Sequence, residues 1–275
     1  MKHVSALEAV LERPPGGLAS LLLRDNRRTM ARNIVSAAVV AFLIPLTSSF
    51  AQQAPPAREL GIKYMRDSQE YGTLARQVYR LASEAAVRGA EEGLRGLWAV
   101  VLDVDETALD NSAYQLERAA YGQPYDSASW AAWVERREAG AVPGVADFIA
   151  LVRKAGGRVA WISNRDARLT EPTRANLEAV GLWAASDRLC LQKSSQHTKA
   201  DRRREVITGA GECAWSSSPM RVVAFVGDQM GDFPGAVEQI PQTGSDAAFG
   251  RVCFLLPNSM YGAWTTSVTR VPGVR

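Results

Sequence analysis

Four short, mostly apolar runs, each followed at once by acids or small polar residues, constrain this chain more than any other feature. They are Leu97–Leu102, Arg158–Ile162, Val222–Val226 and Val252–Leu256. Short continuous runs rich in β-branched and aromatic residues suit strands buried on both faces of a parallel sheet. Helical patterns separate them, over 145–154, over 172–180 ahead of Gly181, and over 198–207 ahead of Gly209. Upstream, 60–94 carries apolar residues at helical spacing, among them Leu74, Val78, Leu81 and Ala85, which predicts one or two helices. Alternating strands and helices predict an α/β fold, a parallel sheet with helices on both faces. Residues 115–142 hold tryptophans and charges but no strand pattern, and read as a small inserted cap.

The amino terminus is of a different kind. A basic stretch from Arg27 to Arg32 precedes an uncharged run from Ile34 to Leu46, and small residues lead to Ala51. This is the layout of a secretory signal peptide, its apolar run too short to cross a bilayer, with cleavage expected after Ala51 and translation expected to start at Met30. The expected division is therefore a targeting segment over 1–51 and a functional domain over 52–275. Residues 1–51 hold six of the 32 Lys and Arg and three of the 29 Asp and Glu, leaving 26 of each sign. The net charge of +3 belongs to the leader and offers no argument for a nucleic-acid polymer as partner. No cysteine lies near the cleavage point, so no lipid anchor is expected there, and a periplasmic or secreted location follows.

Only two histidines occur, His3 and His197, which excludes multi-histidine metal centres within one chain and favours chemistry built on carboxylates. His197 reads as a surface residue. The cysteines Cys190, Cys213 and Cys253 form no C-x-x-C pair and read as structural. In an exported protein two of them can pair, and the sequence does not say which.

In open parallel sheets ligands lie beyond the carboxyl ends of the strands. The first run ends in Asp103, Val104, Asp105, Glu106 and Thr107; the second in Ser163, Asn164 and Arg165; the third in Gly227, Asp228, Gln229, Met230, Gly231 and Asp232. Alternation along an extended chain puts Asp103 and Asp105 on one side. Four converging acids repel one another unless a divalent cation neutralises them, and magnesium suits hard carboxylate and phosphate oxygens. An aspartate can then attack phosphorus, with Lys199 balancing the phosphoryl charge. An EF-hand loop is disfavoured, because Ala108 stands where its glycine belongs.

With these residues in view the sequence resembles a known family. Asp103 to Ser112, Ser163 to Arg165, Lys199 and Gly227 to Phe233 look like the four signatures of haloacid-dehalogenase-type hydrolases. Leu256 to Trp264 and Trp130 to Trp133 narrow the likeness to class C, lipoprotein-type acid phosphatases and 5'-nucleotidases. The resemblance implies a Rossmann-like core with a small helical cap and an Mg²⁺-dependent phosphomonoesterase working through an aspartyl-phosphate on 5'-nucleotides or aryl phosphates. It makes Asp103 the nucleophile and Asp105 the general acid and base. The metal would be held by Asp103, the backbone carbonyl of Asp105, and Asp228, with Asp232 supporting, and the phosphoryl group by Ser163, Asn164 and Lys199. Trp130 and Tyr261 match positions that stack on a nucleobase, whereas Trp133 reads as packing. Arg165 either touches phosphate or pairs with a carboxylate. The family's lipid-anchoring cysteine is missing. Two readings compete with hydrolysis: a phosphotransferase using the same site, and a catalytically silent binding or storage protein on the same fold.

Overall fold

The computed structural model describes residues 56–92, 97–235 and 246–266. The expected signal peptide and the tail beyond Thr266 lie outside these residues. Two helices open the described chain, α1 (Ala57–Asp67) and α2 (Gln69–Glu91), divided at Ser68, whose hydroxyl caps α2 by accepting Tyr71 N at 3.0 Å. The buried face of α2 is not the leucine stripe the sequence advertised. Leu74 and Leu81 are 39% and 37% exposed, while Tyr71, Ala75, Tyr79, Ala82, Ala86 and Gly89 face the core. Small residues win there because the helix lies close on the sheet: a Cβ added at Gly89 would stand 2.7 Å from Val223 Cγ1.

Five strands form the central parallel sheet in the order β5-β4-β1-β6-β7: β1 (Trp98–Leu102), β4 (Arg158–Asp166), β5 (Arg188–Gln192), β6 (Arg221–Gly227) and β7 (Cys253–Leu255). The four apolar runs are β1, β4, β6 and β7. The edge strand β5 escaped the sequence reading because only Cys190 and Leu191 of it are buried and it begins and ends with the polar Arg188 and Gln192. Alternation divides the central strand between two layers. Trp98, Val100 and Leu102 join the core under α2 and α5 (Val145–Lys154), and Ala99 and Val101 join the one that includes Val206 of α7 (Lys199–Thr208). Helices thus cover both faces, with α6 (Thr170–Ala179) between β4 and β5.

After β1 the chain forms a two-stranded antiparallel ribbon, β2 (Leu109–Asp110) with β3 (Gly140–Ala141), enclosing α3 (Ser112–Ala120) and α4 (Ser127–Arg136). Asp126 caps α4 by accepting Ala128 N and Ser129 N at 3.1 and 2.9 Å. Trp133 is 3% exposed and donates Nε1 to Asn111 Oδ1 at 2.9 Å, the packing role expected of it.

One buried arginine ties α7 to the strand ends. Arg202 is fully buried; Nη1 donates to Ser163 O (2.5 Å) and Cys190 O (3.0 Å), Nε to Thr198 O (3.2 Å) and Nη2 to Asn164 Oδ1 (2.6 Å). Replacing it strands several acceptors in the interior. Arg202→Met is therefore expected to lower the unfolding free energy by about 2–4 kcal/mol, read by urea denaturation.

Candidate active site

The site begins where β1 stops. Asp103 N still donates to Val226 O on β6 at 3.0 Å, so this residue leaves the middle of the sheet with strand geometry. The chain then turns. Glu106 takes the left-handed conformation at φ 54°, its N donates to Leu109 O and its Oε1 accepts Asn111 N, both at 2.8 Å. The two acids of the pair line one cleft, but with different partners. Asp103 Oδ1 accepts Lys199 Nζ at 2.6 Å. Asp105 Oδ1 instead accepts Arg165 Nη2 (2.7 Å), Arg165 Nε (3.0 Å) and Asn111 Nδ2 (3.0 Å), while its Oδ2 accepts Ser163 Oγ (3.2 Å). Arg165 thus pairs with a carboxylate, the second of the two roles its sequence left open.

All four acids line one cleft, and among the described residues three of them form a compact cluster. One carboxylate oxygen each from Asp103, Asp228 and Asp232 lies within 4.8 Å of the others, and all three residues are buried. Asp228, just past β6, accepts Thr107 Oγ1 at 3.2 Å and Asn258 Nδ2 at 2.8 Å. Asp232 sits in the short turn after it, Oδ2 accepting Gln229 N at 2.9 Å and Oδ1 accepting Lys199 Nζ. Gly227 makes this approach possible, since a Cβ there would stand 2.3 Å from Asp232 Cβ.

Lys199 is the first residue of α7, placed by a capping box in which Thr198 and Asp201 bond reciprocally. Burial alone would favour its neutral form, yet Asp103 and Asp232 hold its pKa above the ordinary lysine value, so it is charged. One ammonium against three carboxylates leaves an excess of negative charge among buried groups. Burial, with Asp232, Asp228 and Asp105 nearby, pushes Asp103 above the carboxylate range against the pull of Lys199. Burial and Asp232 push Asp228 up to about 6. A compact set of hard oxygen donors with excess negative charge fits a divalent cation, held by Asp103, Asp228 and Asp232.

These residues line a cleft of about 970 Å³ that also holds Ser163, Asn164, Trp130 and Tyr261. Trp130 stands edge-on to Tyr114 at 5.1 Å and carries the Arg165 guanidinium over its ring at 5.5 Å. Residues the sequence did not flag share the cleft, among them Arg58, Gln115, Tyr125 and Gln192. Tyr125, 59% exposed and 6.3 Å from Trp130, extends the aromatic wall. Asn258 lies within the quoted Leu256–Trp264 segment, but only the fold shows that it bonds Asp228. His197 is outside the cleft lining, half-buried, with Nε2 3.3 Å from Glu205 Oε1.

Among known proteins, the chain matches the family model for the HAD superfamily, subfamily IIIB (acid phosphatase), over residues 43–264. It is also similar to the solved structure of a class C acid phosphatase from Bacillus anthracis, with 29% identity and a TM-score of 0.63, over 75% of this chain and 86% of that one. The tungstate-bound structure of a class C acid phosphatase from Bacillus anthracis matches at 28% identity, with the same coverage and TM-score. With a strand-end aspartate facing a lysine in an acidic cleft and a family match over most of its length, this chain belongs to the subfamily IIIB acid phosphatases of the HAD superfamily and is a phosphomonoesterase.

Proposed function

We propose that this protein is an exported, Mg²⁺-dependent acid phosphatase that hydrolyses 5'-nucleotides and aryl phosphates through an aspartyl-phosphate on Asp103. The observation that carries the reading is the placement of Asp103: it ends the central strand, opens into the cleft, and has Lys199 on Oδ1. The opening half-reaction joins an Asp103 oxygen to phosphorus and breaks the ester P–O bond. Asp105, protonated, gives its proton to the departing oxygen. Its Oδ1 is occupied by Arg165 and Asn111, so Oδ2, beside Ser163, is the oxygen placed for proton transfer. In the second half-reaction Asp105, now a carboxylate, takes a proton from water as that water attacks phosphorus and frees Asp103. Lys199 and the α7 amino terminus offset the charge on the phosphoryl oxygens, with Ser163 and Asn164 at the side. A bound divalent cation would supply Lewis-acid neutralisation of the same oxygens. The leaving group lies toward Trp130 and Tyr261, rigid aromatics suited to a base or an aryl ring. Ile34–Leu46, behind its basic flank, supports export.

Phosphate release from a 5'-nucleotide and from an aryl phosphate tests the assignment. Asp103→Asn is expected to abolish turnover. Asp105→Asn is expected to lower kcat by about 10²–10⁴-fold on the nucleotide, and less on an aryl phosphate whose leaving group needs no proton. Trp130→Ala and Tyr261→Ala are each expected to raise KM for the nucleotide by about tenfold. A folded, Mg²⁺-loaded protein that releases phosphate from neither ester would overturn the proposal.

The raised pKa values of Asp228 and Asp103 make metal binding depend on pH. Below about 6 the Asp228 carboxylate is protonated in the metal-free fold and a cation must displace the proton; above it the charge is present and unneutralised. Added Mg²⁺ is therefore expected to raise the thermal midpoint more at pH 7 than at pH 5, by calorimetry.

A further inference from the structure

None of the three cysteines takes part in the site, and the sequence leaves their pairing open. All are buried free thiols, but the fold does not treat them alike. Cys190 lies on β5 at one edge of the sheet and Cys253 on β7 at the other, with β4, β1 and β6 between. Cys213, beyond the end of α7, belongs to a segment fixed beside β5: Arg188 Nε donates to Ala214 O at 3.0 Å and Trp215 Nε1 to Ser186 O at 2.6 Å, and Cys190 is the first cause of the raised Cys213 pKa. Backbone contacts fix the two from separate directions. Cys190 O accepts Arg202 Nη1 at 3.0 Å, and Cys213 N donates to Glu205 Oε2 at 2.9 Å. Arg202 and Glu205 are three residues apart, neighbours on one face of α7, so that face holds both cysteines. Ile162, Val206 and Met220 pack in the same apolar cluster, which reaches Cys253 only at the far edge of the sheet.

We propose that Cys190 and Cys213 are a redox pair that closes a disulfide as the protein folds in an oxidising compartment, leaving Cys253 a thiol. The bridge encloses residues 191–212, and with them the whole of α7, including Lys199 and Arg202. It would therefore clamp the helix that presents the phosphate-binding lysine at both of its ends. Closing a loop of this length restricts the unfolded chain and stabilises the folded one. The chemistry needs a disulfide oxidant, for which glutathione disulfide serves. One cysteine thiolate attacks a glutathione sulfur, giving a mixed disulfide and one glutathione thiolate. The other cysteine thiolate attacks the mixed disulfide at the protein sulfur and expels the second glutathione. Two protons pass from the cysteines to the departing thiolates, and two electrons reduce one glutathione disulfide to two glutathiones. Cys190, together with burial, holds the Cys213 thiol well above the ordinary range, so little thiolate exists in the folded protein. Closure consequently belongs to the folding chain or to local opening. The proposal rests on the export reading for its oxidant in the cell, while the chemistry in solution does not.

The test is to reduce and unfold the full chain, refold it with glutathione disulfide or with dithiothreitol alone, alkylate, and map the peptides by mass spectrometry. The expected result is one linkage, Cys190 to Cys213, with Cys253 alkylated, and a thermal midpoint about 5–10 °C above that of the dithiothreitol sample. That difference should vanish in Cys213→Ala. Native protein held with glutathione disulfide a few degrees below its midpoint gives the same readout without refolding. Three alkylated cysteines in the folded oxidised sample, or a linkage that includes Cys253, would overturn the proposal. Phosphatase activity measured on both forms reports on the catalytic reading separately, since linkage mapping is blind to it.

Discussion

Burial of Asp103, Asp228 and Asp232 against a single ammonium is the constraint on which the rest of the molecule turns. Like charges withdrawn from water repel strongly and recover their protons unless something offsets them. The fold accepts this cost at the one place where three parallel strands end side by side. β1, β4 and β6 are adjacent, so acids and hydroxyls scattered over more than a hundred residues meet at their carboxyl ends. The core beneath makes the arrangement rigid: Trp98 and Trp161 are fully buried, and β1 is closed on both faces.

Around that centre the polar contacts separate two carboxylates of the same motif. Asp103 is turned toward Lys199 and the acidic cluster, Asp105 toward Arg165, Asn111 and Ser163. Two like groups with different partners can take different roles, one attacking while the other moves a proton, and it is environment that distinguishes them. Arg165 also lies over Trp130, which joins Asp105 to the aromatic wall of the cleft. Arg202 works from behind, spending its donors on strand-end carbonyls and so locating the helix that carries Lys199.

Much of this was legible in the order of residues. Strands buried on both faces leave continuous apolar runs, and the four that stand out are β1, β4, β6 and β7. The helical pattern over 198–207 ahead of Gly209 anticipated α7 to within one residue at each end. The failures have identifiable causes. β5 lies at a sheet edge, where half-exposed positions admit Arg188 and Gln192 and blur the pattern. On α2, leucines suggested one face, but close packing on β6 favoured alanine, glycine and tyrosine instead. Tyr125 sits in a segment without periodicity, and nothing short of the folded cleft places it opposite Trp130.

By itself, the sequence determined the layered α/β architecture and the identity of the acids at the strand ends, because hydrophobic periodicity and strand-end chemistry are local properties of the chain. Tertiary structure alone decided that Asp103, Asp228 and Asp232 cluster while Asp105 faces the same cleft with Arg165 as its partner, and that Cys190 and Cys213 share an apolar cluster with Val206 of α7. Those outcomes depend on a left-handed turn at Glu106 and on helix-to-sheet distances set by packing between residues far apart in sequence.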